Sequence, residues 1–190
     1  MKNFLRNFRD RLGSAKTLRL HGIFFGLVLV FDQLTKYWAR ARYSLPNGEP
    51  DYFLSTPIVG EWVQFRLVYN FGAAFGSKPQ SIAPFLHPTL FFVIFSLAAI
   101  AFLGYYYSRL GFQEKMARLG VVLILAGALG NLIDRIVMHK VTDFIDVGIP
   151  SIATRWPVFN IADSSVCVGI ALLLIPSFFP KKSVPENLAA

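Results

Sequence analysis

Phe85 to Tyr107 reads FLHPTLFFVIFSLAAIAFLGYYY, the densest part of a stretch with no Asp, Glu, Lys or Arg between Lys78 and Arg109. A bilayer core about 30 Å thick needs about 20 residues of apolar helix, and this run supplies them. Its closing Tyr105-Tyr106-Tyr107 suits the headgroup level, where amphipathic rings collect. This stretch decides the fold class: a membrane helix. Three further stretches then read the same way. Leu20 to Tyr37, through HGIFFGLVLVF, carries Asp32 and Lys36 near its far end. After Arg118, LGVVLILAGALGNLI runs fifteen uncharged residues to Asp134 and on to about Met138. The last starts near Phe159 and runs to Pro180, with Asp163 close to its start. The expected spans are therefore residues 20–40, 85–108, 118–138 and 159–180. The expected architecture is an all-α polytopic membrane protein, a single integral membrane domain over residues 1–190.

Composition agrees. Of 190 residues, 54% are hydrophobic and only 16% charged, too greasy for an ordinary soluble domain and too apolar for a disordered chain. One cysteine, Cys167, excludes an internal disulfide framework and a cysteine-based zinc site. The net charge of +8 would suggest nucleic acid in a soluble protein, so the location of the charges matters. Lys2, Arg6, Arg9, Arg11, Lys16, Arg19, Arg109, Lys115, Arg118, Lys181 and Lys182 fall on one side of the four spans, against Asp10, Glu114 and Glu186. The other side balances eight basic with eight acidic residues. The excess thus marks a cytoplasmic face bearing both termini, and no nucleic-acid partner is needed to explain it. A cleaved signal peptide ending at Ala39-Arg40-Ala41 fits poorly, because Asp32 and Lys36 interrupt its apolar part.

Between spans one and two, Pro46-Asn47-Gly48-Glu49-Pro50 is turn chemistry. Glu61 to Tyr69 alternates, with Val63, Phe65, Leu67 and Tyr69 on one face and Gln64 and Arg66 on the other. A small extracytoplasmic β element over about residues 43–76 is expected, with residues 139–158 an outer loop.

Ionisable groups within membrane spans are costly and therefore candidates for function. Here they gather at one level. Spans one and three run outward and place Asp32, Lys36, Asn131, Asp134 and Arg135 near their outer ends; Asp143 follows, and Asn160 and Asp163 open span four. Two carboxylates held close share a proton and can act as base and acid on one water molecule. Asp143 and Asp163 are the best pair, since they flank a nineteen-residue loop whose ends must meet. The plainer alternative makes Asp163 an acid favoured by a helix N-terminus and Asp143 a solvated loop acid. Asp32 and Lys36, four apart on one helix face, could neutralise each other or shape the site. Arg135 could snorkel, Asn131 pack between helices, and Asn70 serve its Gly-containing turn. His21, His87 and His139 are scattered interfacial residues without metal-site spacing, Cys167 has no basic partner in sequence, and Ser164-Ser165 lacks a positioned His or Lys. Two rival classes remain: a transporter or channel subunit using Asp32, Lys36 and Asp163, and a scaffold binding partner helices through Gly127, Ala128 and Gly130.

The blocks Asp32-Gln33-Leu34-Thr35-Lys36, Tyr69-Asn70-Phe71-Gly72-Ala73-Ala74-Phe75, Gly130-Asn131-Leu132-Ile133-Asp134-Arg135, Val141-Thr142-Asp143-Phe144 and Phe159-Asn160-Ile161-Ala162-Asp163-Ser164 occur in this order over about 130 residues. Together the chain resembles bacterial lipoprotein signal peptidase, signal peptidase II. The resemblance implies a four-span aspartic peptidase of the bacterial inner membrane with cytoplasmic termini and its site at the periplasmic face. Such enzymes cut prolipoproteins on the amino side of a cysteine that already carries a diacylglyceryl group, and are inhibited by globomycin. By position in the blocks, Asp143 and Asp163 would be catalytic and Asp134 structural. Asp32, Lys36, Asn70, Asn131, Arg135 and Asn160 would line or brace the site. No metal or other cofactor is implied; the expected partners are the substrate and membrane lipid, and the expected state is a monomer. Tyr43 to Glu61 and Ser77 to Pro88 look longer than in the shorter family members.

Overall fold

The computed structural model describes residues 15–72 and 88–178. The basic cluster from Lys2 to Arg11, the end of the second block from Ala73, the long stretch from Ser77, His87, and the tail bearing Lys181 and Lys182 lie outside these residues.

Among the described residues four helices carry the chain: α1 (Ala15–Tyr43), α2 (Pro88–Arg109), α3 (Lys115–Met138) and α4 (Ile161–Phe178). Three contain segments long and apolar enough to cross a membrane, Lys16–Tyr43, Thr89–Arg109 and Lys115–Met138; the fourth offers a shorter apolar stretch, Ile161–Ile175. At 1.5 Å per residue, α1 is about 43 Å long, more than the hydrocarbon core requires, so its last turns can stand clear of the bilayer. The molecule has the burial pattern of a membrane protein. Leu27, Phe31 and Leu34 of α1 and Phe95 and Phe102 of α2 are exposed, whereas Asp32, Lys36, Asp134 and Asn160 are buried. Lipid can cover the apolar flanks, but only protein can satisfy those polar groups.

The sheet is larger than the sequence suggests. Its order is β1 (Thr56–Val59), β2 (Val63–Asn70), β3 (Val141–Ile149) and β4 (Thr154–Arg155), all antiparallel neighbours. Half of it therefore comes from residues 139–158, expected to be a loop, and the β element is not confined to the connection between α1 and α2. His139 makes this possible. It takes a left-handed conformation, φ 60°, with its N–H bonded to the Arg135 carbonyl, and so turns the chain from α3 directly into β3. In β2 and β3, Phe65 pairs with Ile145 but Val68 with Asp143, so β2 holds one extra residue. Such a bulge increases the local twist and re-aims side chains, and this one lies beside Asp143.

The core joins helix to sheet. Ala39 and Tyr43 from the last turns of α1 pack with Leu67 of β2 and Phe144 of β3, flanked by Phe65, Tyr69 and Ile161. Trp38 meets the rings of Tyr43, Phe65 and Phe144 edge to face at centroid distances of 5.7, 5.4 and 6.2 Å. On the opposite side of β2, Gln64 and Arg66 reach Asp146 of β3 at 2.8 and 2.6 Å, and Arg155 of β4 reaches it at 2.8 Å. The alternation in Glu61 to Tyr69 thus separates an apolar face toward the core from a polar face toward Asp146. Burial raises the Asp146 carboxyl, but the hydrogen bonds from Arg155, Gln64 and Arg66 outweigh it and hold the group below the ordinary carboxylate range.

Small residues of α3 serve this fold internally. A side chain at Gly127 would strike the Ala162 carbonyl of α4, and one at Gly130 would come within 2.6 Å of Asp32 Oδ2. The glycines offered to a partner helix in the scaffold reading are already in use.

Candidate active site

The site forms where α1, α3, β3 and the start of α4 converge. After β4 the chain folds back along β3: Trp156 donates its N–H to the Val147 carbonyl at 2.8 Å, and Phe159 and Ile145 exchange backbone hydrogen bonds at 3.0 and 2.8 Å. Asn160 therefore arrives beside Asp143, and α4 starts there. Its Nδ2 donates to Asp143 Oδ1 at 2.8 Å, to Asn131 Oδ1 at 3.1 Å and to the Thr142 carbonyl at 3.2 Å.

Asn160 also caps α4. Its Oδ1 accepts the Asp163 N–H at 2.8 Å, while its own N–H donates to Asp163 Oδ2 at 3.2 Å, a reciprocal capping box with aspartate in the third helical position. A further orphan N–H, that of Ala162, goes to Asp32 Oδ1 at 2.8 Å. One asparagine thus contacts both candidate acids. The alternative of Asp163 as a helix-start acid is correct as far as it goes, since Asp163 caps the helix and faces the site at once.

Asp143 is 2% exposed, not a solvated loop acid. Its Oδ1 accepts from Asn160 and its Oδ2 from Asn70 Nδ2 at 3.1 Å. Burial pushes its carboxyl up to about 7, with the charge of Asp163 adding to the rise; Asn70, Asn160 and Lys36 oppose it. Asp163, half-buried, accepts from Asn131 Nδ2 at 2.8 Å.

Below the pair lies a buried ionic layer. Lys36 Nζ stands 2.9 Å from Asp32 and 3.5 Å from Asp134, and donates to Asn131 Oδ1 at 2.9 Å. The Asp32 and Lys36 pair is therefore both a neutralised pair and a support for Asn131. Asp134 and Arg135 diverge as neighbours on a helix must. Asp134 accepts the Thr142 N–H at 2.9 Å and lies 3.9 Å from Arg40, whereas Arg135 lies over the Phe92 ring at 5.0 Å and donates to the Asn131 carbonyl at 3.4 Å.

All eight sequence candidates, Asp32, Lys36, Asn70, Asn131, Arg135, Asp143, Asn160 and Asp163, lie in or against this network. Sequence reasoning missed Arg40 and Thr142, joined by a 2.9 Å hydrogen bond, and Gly72. A signal existed for Arg40, which continues the Asp32 and Lys36 stripe by four residues. Gly72 has φ 107°, donates its N–H to Asn70 Oδ1 at 2.9 Å, and leaves no room for a side chain beside the Phe92 ring. The other candidates play smaller parts. Ser165 Oγ bonds the Leu123 and Ala162 carbonyls, Cys167 is exposed on α4, and His21 Nδ1 lies 2.6 Å from the Tyr107 hydroxyl, away from the acids. Among the described residues no three His, Cys, Asp or Glu side chains form a group able to hold a metal ion.

Comparison with known proteins leads the same way. The family described as Signal peptidase (SPase) II matches residues 24–179. A lipoprotein signal peptidase of Syntrophus aciditrophicus is 36% identical over 84% of this chain and 92% of its own, and one from Coxiella burnetii 38% over 84% and 90%. A bacterial membrane enzyme solved by the in meso method at 2.3 Å superposes with a TM-score of 0.72 at 28% identity, covering 88% of this chain and 92% of that one. Identity sustained across nearly the full length, together with a shared fold, shows that the chain belongs to the signal peptidase II family.

Proposed function

We propose that Asp143 and Asp163 are the catalytic pair of this signal peptidase II, an aspartic peptidase of the bacterial inner membrane that removes signal peptides from prolipoproteins. The observation that carries the assignment is Asn160, whose side chain bonds Asp143 while its backbone N–H bonds Asp163. With one proton between them, one carboxylate takes a proton from water while the other hydrogen-bonds the scissile carbonyl oxygen. Hydroxide adds to the carbonyl carbon; the peptide C–N bond then breaks as the leaving amine takes a proton. The products are the signal peptide's new carboxylate and a new amino terminus on the lipid-modified cysteine.

The fuller reading has α4 as a fourth span, both termini in the cytoplasm and the acids at the periplasmic headgroup level. It supports a monomeric single-domain enzyme surrounded by lipid, with no nucleic-acid partner. A substrate whose signal peptide is a membrane helix and whose cysteine carries diacylglyceryl presents its scissile bond at that depth, between the helix ends and the sheet. Globomycin would occupy the same space. Asp32, Lys36, Asn70, Asn131, Arg135 and Asn160 position the acids, and Asp134 braces β3 through Thr142. The ion-path reading expects charges through the depth of the bilayer, yet no Asp, Glu, Lys or Arg lies between Arg19 and Asp32 of α1, or between Arg118 and Asp134 of α3.

The substrate assignment is tested with purified protein and one prolipoprotein prepared with and without its diacylglyceryl group. The lipidated form is cut immediately before the cysteine, and globomycin stops the cut. Equal cleavage of the unlipidated form contradicts the reading.

A further inference from the structure

A cavity of about 340 Å³ lies at the end of the bundle opposite the sheet, between the first turns of α1 and the start of α3. Its volume is within the range of small-molecule sites, roughly 300–1,000 Å³. Leu20, Phe24 and Leu119 give it apolar walls, while His21, Lys115 and Arg118 bring polar and cationic groups to the same space. Arg118 is 1% exposed. Its guanidinium is fixed over the Tyr107 ring at 4.4 Å and donates to the Leu110 carbonyl at 3.1 Å, so the charge is held in place rather than drawn out to solvent. Leu20 and Phe24 are half exposed on the flank of α1, which puts one wall at the lipid-facing surface. Lys16, Arg19 and Arg109 share this end, and Glu114 is the one acid there among the described residues.

A ligand matched to these walls is amphipathic, with an anionic head for Lys115 and the field of the buried Arg118 and hydrocarbon for Leu20 and Phe24. We propose that this cavity binds an anionic phospholipid, its phosphate against Lys115 in the positive field of the buried Arg118 and the start of an acyl chain along Leu20 and Phe24. Basic pockets between membrane helices at the cytoplasmic level suit such headgroups, and that leaflet already concentrates anionic lipid around Lys and Arg. The inference is independent of the catalytic pair, which lies at the other end of α1 and α3.

Native mass spectrometry of the full chain released from detergent tests it, with phosphatidylglycerol and phosphatidylcholine of identical acyl chains and with free glycerol phosphate. Wild type retains phosphatidylglycerol in preference to phosphatidylcholine, and free glycerol phosphate does not displace it. Lys115→Gln removes one cationic contact and lowers retention about fivefold, as a contact near 1 kcal/mol requires. Leu20→Trp, which narrows the apolar wall, lowers it as well, whereas Arg109→Gln, at the same end but outside the cavity, leaves it unchanged. Equal retention of both lipids overturns the proposal. So does an Arg109→Gln loss equal to that of Lys115→Gln, which would mean a diffuse basic collar, or displacement by glycerol phosphate, which would mean an anion site without a place for lipid. Should Leu20→Trp fail to fold, the Lys115 and Arg109 variants decide the question.

Discussion

Once ionised, Asp143 costs the folded protein stability. Its carboxyl rises from 3.8 to about 7, chiefly through burial and then through the neighbouring charge of Asp163. The folded state therefore binds more protons than the unfolded state between those values, and stability falls as pH rises through that window. Above about 7 the whole penalty is present; below 3.8 it is absent. Asp143→Asn, which keeps the shape and discards the charge, should raise the apparent Tm in detergent at pH 8, with the gain shrinking steadily as the solution is acidified. A pH-independent gain would mean that ionisation is not its source. Gly72 makes the opposite kind of contribution. Alanine there must adopt φ 107° and displace the Phe92 ring, at a strain of about 1–3 kcal/mol. Because Gly72 N–H holds Asn70, and Asn70 holds Asp143, Gly72→Ala should lower kcat/KM by roughly a hundredfold while the protein remains folded, consistent with a misplacement of about 1 Å. Wild-type kinetics in that variant would remove Asn70 from the argument.

At the scale of elements, the polar face of the sheet depends on Asp146, where β2, β3 and β4 are pinned by Arg66, Gln64 and Arg155. Asp146→Asn weakens two ion pairs whose arginines are about one-third exposed, a loss of about 1–3 kcal/mol. Limited proteolysis should then cut first between Ile149 and Trp156, before the helices are touched; unchanged resistance would assign the hairpin's order to other contacts. This strand was not legible in the sequence. Val141 to Ile149 carries two acids, Asp143 and Asp146, and both are buried because other segments supply partners, Asn70 and Asn160 for Asp143 and Gln64, Arg66 and Arg155 for Asp146. The helices were legible, since α2 has about twenty apolar residues in a row and the other three hold shorter uncharged runs that leave few alternatives. The site divides along the same line. Asp32 and Lys36 declare themselves by spacing on one helix, whereas Thr142 and Asp146 meet Arg40 and Arg66 only when the fold brings together residues 80 or more apart in sequence. The five blocks carried the rest, because each asparagine and aspartate in them belongs to one network spread over α1, β2, α3, β3 and the start of α4.

For the whole molecule, the charge distribution and the fold make one topological statement. Lys16, Arg19, Arg109, Lys115 and Arg118 lie at the end of the bundle opposite the sheet, and the acids of the site lie at the sheet end. With Cys167 replaced by serine, Phe53→Cys on the exposed segment before β1 should react with a membrane-impermeant maleimide in cells whose outer membrane has been permeabilised, and Lys16→Cys should react only after lysis. The reverse pattern would invert the protein and move the acids to the cytoplasm. In the proposed orientation, a deep apolar helix bundle presents one buried acid and one half-buried acid to a peptide bond that the lipid anchor holds at the headgroup level. The most direct test of that account is single-turnover cleavage of a diacylglyceryl-modified prolipoprotein by wild type, Asp143→Asn and Asp163→Asn, each verified as folded by its melting curve. The account predicts cleavage by wild type and none above background by either variant; substantial cleavage by a folded Asp143→Asn or Asp163→Asn protein would contradict it.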